Sequence, residues 1–425
     1  MHIDHQSQHG CRPDIRTLLQ SGRIPVGAWV SPPPGNVGNL DNPNFITDES
    51  YRLAKEAGLT ILYGLYENLE NRSADAEAAL ACAQRNGLYY LACSHGIAMG
   101  HSLEAVQEDI AGFGVDAPAY LGVLAFDEPA ESQFDDLGAL YDHYRTRNPD
   151  KLFYVNLLPY CAKVTQIQLH KSDESGRATT AEEYRHYVQA YIQKTRPEVL
   201  SFDNYPCIGP FPAMADHYFL NLSMICAAAR QHGLPAWCFI QTCSWNPQVR
   251  VPEESEILWQ VNTALAYGIR GIQYFTFWQP LADGTWQGGM ISPTGEKLPQ
   301  YDYVSHANRQ IRLCQEALLR SDFQGLLVHG ESPAPIPQED ILSDFAPVAQ
   351  VEGDIPLLVG CYHHGDAKAL YVVNNSVEKA GCAVITFREE VQGTLLHLDG
   401  SKTFQTRQLS IFLEPGAAAM LNGLR

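Results

Sequence analysis

The feature that most constrains this chain is an alternation. Eight times before about residue 320, a short β-branched and aromatic run gives way to a longer segment with helical periodicity. The predicted strands are Pro25–Ser31, Thr60–Tyr66, Tyr89–Ser94, Leu121–Phe126, Phe153–Leu158, Leu200–Asn204, Ala236–Thr242 and Gly271–Trp278. The intervening helices are predicted over Asp48–Ala57, Ala74–Asn86, Leu103–Phe113, Leu137–Arg147, Ala181–Thr195, Tyr218–His232 and Glu253–Tyr267. Several joints carry a glycine just past the helix and then a strand, as in Ala57-Gly58-Leu59 and His232-Gly233-Leu234. Strict alternation implies a parallel sheet, and eight units in about 300 residues fit a closed (β/α)8 TIM barrel better than an open doubly wound sheet. No G-x-G-x-x-G follows the first strand, so a dinucleotide site has no support.

After a last helix, roughly Tyr301–Leu319, the period changes to short alternating runs: Leu357–Tyr362, Ala369–Asn374, Ala383–Phe387 and Thr394–Leu398. A proline-rich stretch, Glu331 to Gln338, lies near the start of this region. The chain therefore divides into a catalytic barrel over residues 1–320 and a small all-β, antiparallel sandwich over 321–425.

Composition narrows the partners. Lys and Arg number 29 against 48 Asp and Glu, a formal net charge of −19. That field repels phosphate backbones and anionic lipid surfaces, whereas a neutral substrate such as a sugar feels no penalty. Met1 to Leu19 has no apolar run of signal-peptide length, and no later stretch approaches ~20 uninterrupted apolar residues, so a cytoplasmic location is expected. The 11 cysteines contain no C-x-x-C pair and several sit in apolar segments, which reads as reduced thiols. Neither His95 with His101 nor His363-His364 has the spacing of a zinc site, G-x-S-x-G is absent, and no metal or cofactor is expected. An oligomer is possible but nothing indicates one.

A barrel enzyme builds its site at the C-terminal ends of its strands, so unusual residues there carry the functional reading. The first strand ends in Trp29, the second runs through Tyr63, the third ends at His95 and the fourth at Asp127-Glu128-Pro129. The fifth contributes Asn156, the sixth Asp203-Asn204-Tyr205, the seventh Gln241 with Trp245 beyond it, and the eighth Tyr274 and Trp278. Rings beside carboxylates and amides suit a carbohydrate, whose C–H faces stack on aromatics while its hydroxyls need oriented polar partners. Glu128 is the sharpest candidate: burial at the end of an apolar strand would raise its pKa, as a proton donor to a glycosidic oxygen requires.

Leu121 to Pro129 resembles the fourth-strand motif of the large clan A of (β/α)8 glycoside hydrolases, in which an Asn-Glu-Pro triplet carries the acid/base glutamate. The run from Tyr267 to Trp278 is similar to the eighth strand of family 42 β-galactosidase relatives. The resemblance implies a glycosidase with Glu128 as acid/base and Trp278 as a sugar platform. Two departures stand out: Asp127 occupies the place of the clan's Asn, and the seventh strand, which in the clan ends with the nucleophilic Glu, ends here in Gln241.

Three arrangements accommodate those departures. Asp203 can replace the missing carboxylate, as nucleophile at ~5–5.5 Å from Glu128 or as base to a water at ~6.5–9.5 Å. The wider spacing is expected, because strands four and six are not neighbours. Alternatively, the Asp127-Glu128 dipeptide is similar to the dyad of hexosaminidase-type barrels, which let the substrate's own N-acetyl group attack. A barrel that binds sugar without cleaving it, its nucleophile lost at Gln241, is the alternative from another class. Long loops over Pro32–Phe45, Tyr160–Thr180 and Gln279–Pro299 wall the groove and favour a short oligosaccharide or small glycoside.

Overall fold

The computed structural model describes Leu18 and residues 21–96, 101–114, 116–169, 176–281, 284–398 and 400–425. Eight parallel strands close into a barrel in sequence order: β1 (Val26–Trp29), β2 (Ile61–Asn68), β3 (Tyr89–Cys93), β4 (Tyr120–Asp127), β5 (Leu152–Leu157), β6 (Leu200–Phe202), β7 (Ala236–Gln241) and β8 (Gly271–Phe275). β8 returns to β1 with Ala28 opposite Tyr274. The strands are continuous apolar runs because both faces are covered, by the barrel's own filling inside and by helices outside.

Local sequence fixes where the helices begin. Thr47 caps Asp48–Glu56 through its hydroxyl, and Thr180 and Glu183 form a reciprocal capping box at the start of Ala181–Thr195. Such caps set the lengths of the loops at the barrel mouth, and so where the site's walls can reach.

The last barrel helix, Pro299–Leu319, leads directly into an antiparallel sheet of seven strands that begins at Asp322. Its 17-residue strand Gly381–His397 pairs with Val348–Gly353 through residues 383–387 and with Ala418–Leu424 through residues 394–396. The sheet thereby folds over a core of its own, including Leu357, Val359, Leu370, Ile385, Phe387 and Leu421, as a small sandwich does. The opposite faces of the strands over 357–364 and 367–374 add Leu358, Tyr362, Tyr371 and Val373 to the barrel's core. Alternation along each strand thus feeds two cores at once. Among the described residues no helix is long and apolar enough to cross a membrane, and the ten described cysteines are all free.

Candidate active site

Sheet register places the first residues of the site at one height. Asp127 lies opposite Asn156, and Asn156 opposite Ser201, across β4, β5 and β6. Asp203 follows Ser201 by two residues, which the strand period returns to the same face. The Asn156 side chain donates to Asp127 Oδ1 at 3.3 Å and also hydrogen-bonds Asp203, while its carbonyl oxygen accepts from Ser201 Oγ at 3.2 Å. One amide therefore orients two carboxyl groups.

Glu128 would point out of the barrel if β4 simply continued. It instead takes φ +52, the left-handed region that costs an ordinary residue about 1–2 kcal/mol, while its N–H stays bonded to Asn156 O at 2.8 Å. The turn brings its carboxyl into hydrogen-bonding contact with that of Asp203. The wide separation expected from non-neighbouring strands is therefore corrected, since a backbone reversal at Glu128 outweighs strand order. Strain of this kind collects at functional sites.

Electrostatics follow from the crowding. Desolvation first, and then the charge of Asp203 and the bond to it, push Glu128 well above the usual carboxylate range. Asp203 is 7% exposed, and burial, then Asp127, lifts its carboxyl to about 8 against the hydrogen bonds from Asn156 and Glu128. Asp127 is walled by protein yet open to the cavity; the walls, then Glu128, raise its carboxyl to about 8 against the Asn156 hydrogen bond. Three carboxyls crowded in one cavity disfavour full ionisation, so protons are shared among them.

The acids sit in a cavity of about 320 Å³ at the barrel mouth. A larger cleft of about 770 Å³ runs between residues 210–213 and the C-terminal sheet, but its acids, Glu331, Asp354 and Glu378, are exposed and share it with His329 and Lys379, and chemistry rather than size selects the smaller one. Trp29 forms one wall, stacked on Tyr63 at 6.1 Å. Tyr205, Trp245, Phe275 and Trp286 form another, with Tyr205 5.0 Å from Trp245 and Phe275 5.8 Å from Trp286. Pro159, Cys161 and Ile208 complete the lining. The Cys161 thiol, open to the cavity, is raised by the protein packed around it and by the neighbouring Asp203 and Glu128.

Of the residues singled out in the sequence, Glu128, Asp203, Asp127, Trp29, Asn156, Tyr205 and Trp245 line this cavity. Six others do not. β2 runs on to Asn68, so Tyr63 falls inside the barrel, where its hydroxyl donates to Gln273 at 2.6 Å. His95 turns to Cys93 and to Leu65 O. Tyr274 points outward and donates to Asn308 at 2.9 Å. β8 ends at Phe275, three residues before its predicted end, so Trp278 is buried against Phe45 and Phe275 faces the cavity in its place. Asn204 is buried with both amide atoms unpartnered.

Gln241, the residue at the place of the missing nucleophile, is fully buried and spent on structure. Its Oε1 accepts from Cys207 N at 3.0 Å, and its Nε2 donates to Cys243 O at 3.2 Å and Arg250 O at 2.8 Å. It thus ties the loop that carries Asp203 and Tyr205 to the loop after β7. Arg250 adds to the same bracket by donating to Ile208 O, Gly209 O and Ala213 O while ion-paired with the buried Glu256. Phe275 and Trp286 were missed because strand-end registers and loop conformations are tertiary facts. The one available signal was the aromatic content of the long loop after β8.

No protein-family model matches the chain, and no curated protein does. Among solved structures, a family 42 β-galactosidase from G. stearothermophilus, in catalytic-mutant form, superposes with TM-score 0.59 at 8% identity, covering 96% of this chain and 99% of that one. A glycoside hydrolase family 5 protein from Bacteroides vulgatus superposes with TM-score 0.57 at 12% identity, covering 95% and 92%. At those identities the likeness is one of fold: barrel and C-terminal sheet together have the architecture of the glycoside hydrolases that the fourth-strand motif resembles.

Proposed function

We propose that the protein hydrolyses a glycosidic bond, with Glu128 as proton donor and Asp203 as its partner carboxylate. One observation carries the reading: a buried and a half-buried carboxyl in hydrogen-bonding contact, one of them strongly inclined to keep its proton, inside an aromatic-walled cavity at the mouth of a (β/α)8 barrel. Glu128 gives its proton to the leaving oxygen as the C–O bond breaks, and Asp203 forms the ester to the anomeric carbon. Water, deprotonated by Glu128, then releases the sugar. The short spacing favours this double displacement, because a base that activates water needs ~6.5–9.5 Å between the carboxyls. The cavity is at the small end of the roughly 300–1,000 Å³ range of small-molecule sites, which favours a short glycoside over a polymer.

A second reading has one observation of its own. Asp127 opens into the cavity with Asn156 holding one oxygen, the position from which a carboxylate could steer a substrate's acetamide. The test is a screen of nitrophenyl glycosides and short oligosaccharides with the first-formed anomer followed by NMR. Retention is expected. In Asp203→Asn, azide should restore turnover and yield the glycosyl azide of inverted configuration. Inversion by the wild type would remove Asp203 as nucleophile, and rescue confined to N-acetyl substrates would pass the role to the acetamide. A barrel that only binds would keep its affinity in Glu128→Gln and show no turnover to lose.

A further inference from the structure

The proposed hydrolysis needs two carboxyl groups, and the cavity holds three. Asp127 is the surplus. Among the described residues only one of its oxygens has a partner, the Asn156 amide at 3.3 Å, and its side chain is open to the cavity. Asp203 Oδ1, deeply buried, has no hydrogen-bond partner among the described residues. One acceptor position, on Asp127, therefore faces the cavity, while the unpartnered Asp203 oxygen is itself buried.

The cavity is also short of positive charge. No Lys, Arg or His is among the described residues that line it. Among the described residues Lys163, whose charge reaches Cys161, and Arg250, which is committed to Glu256, both lie outside the lining. Against the acids stand the rings of Trp29, Tyr205, Trp245, Phe275 and Trp286. Aromatic faces attract a cation through their quadrupoles, most strongly when water is excluded. Carboxylates that lack protein cations are satisfied by a cation on the ligand. The whole chain, at −19, adds a field of the same sign.

Resting on the glycosidase reading, we infer that the cavity selects a glycoside whose sugar carries a free ammonium group beside the anomeric carbon, a 2-amino-2-deoxy sugar, with Asp127 as the residue that recognises the ammonium. Position decides which carbon. Glu128 must reach the glycosidic oxygen, Asp127 is its neighbour in the chain and shares Asn156 with Asp203, and the substituent nearest the reacting carbon is that on C2. An N-acetyl group would present an uncharged amide to the same carboxylate and forgo the ion pair.

The test compares nitrophenyl glycosides of glucosamine and galactosamine with those of glucose and galactose and with the N-acetylated sugars, on the full chain and on Asp127→Asn. The wild type should prefer the free amine over its neutral parent by tenfold or more in kcat/KM, and the ratio should collapse towards one in Asp127→Asn. Equal or better turnover of the neutral sugar overturns the inference while leaving the glycosidase reading in place. A ratio that survives Asp127→Asn removes Asp127 from the role, and preference for the N-acetyl sugar supports substrate assistance instead. Calorimetry with free glucosamine against glucose separates the remaining case: tight binding of the amine without hydrolysis of any glycoside sinks the glycosidase reading and keeps the cation site, whereas no binding and no hydrolysis sink both.

Discussion

Two buried polar regions of this molecule are built in opposite ways. Where the C-terminal sheet meets the barrel, named partners close on each other: Tyr371 donates to Asn262 at 2.7 Å, Asn262 to Gly416 O at 2.8 Å, and Trp259 Nε1 to Asn375 at 2.7 Å. At the barrel mouth, Asp203 Oδ1 and both amide atoms of Asn204 have no partner among the described residues, and three acids crowd one cavity. Burying an unpaired polar atom costs about 1–3 kcal/mol, so the interface contributes stability and the mouth gives some up. The difference teaches where a ligand belongs: in the region that the protein leaves unfinished.

That comparison breaks most visibly in turnover. Glu128→Gln should lower kcat by about two to four orders of magnitude, the usual worth of a positioned general acid, with sugar affinity retained, as initial rates and calorimetry would show. Asp203→Asn should lose activity on a similar scale. Wild-type activity in either variant would falsify the assignment of that residue.

The interface should respond the other way. Asn262→Ala strands the Tyr371 hydroxyl and Gly416 O together, an expected cost of about 2–3 kcal/mol, or roughly 2–4 °C in Tm for a chain of this length, with kcat at 25 °C unchanged. Calorimetric scans beside rate measurements check both halves. A variant that lost activity but not stability would show that the two regions are coupled.

A third expectation concerns Gln241→Glu. If Gln241 is a lost nucleophile, a carboxylate there should raise activity; if it is a bracket, the new oxygen faces Cys243 O and Arg250 O and repels both. We expect a loss of about 1–3 kcal/mol in stability, a higher KM and no gain in kcat.

A further effect is in pH dependence. A carboxyl whose folded pKa lies above its unfolded value binds a proton more tightly when folded, so stability is greatest below the unfolded value, about 4, and is lost as pH rises through the folded value. For Asp203, raised to about 8, the loss should run from about pH 4 to 8, in the same direction as the contributions of Glu128 and Asp127. Asp203→Asn should flatten that slope in denaturant titrations at several pH values. A slope unchanged from wild type would mean that the site's protons do not act on folding.

By itself the sequence determined the layers, the barrel and the end of the chain at which chemistry is built. Those depend on local signals that repeat eight times: β-branched runs, helical period, caps such as Thr180 with Glu183, and glycine stops such as Gly233. It also marked Glu128 and Asp203, because a carboxylate directly after a buried strand is conspicuous without any coordinates. Tertiary structure alone decided what those residues meet. Strand ends differed from expectation by two residues in β2 and three in β8, enough to take Tyr63 and Trp278 out of the cavity and bring Phe275 in. The left-handed turn at Glu128 set the distance between the acids, and the hydrogen bonds of Gln241 turned an apparent gap in the catalytic machinery into a brace. Both are long-range consequences: a period of two or 3.6 residues tells which face a side chain occupies, whereas its neighbours across the barrel depend on where eight strands stop relative to one another.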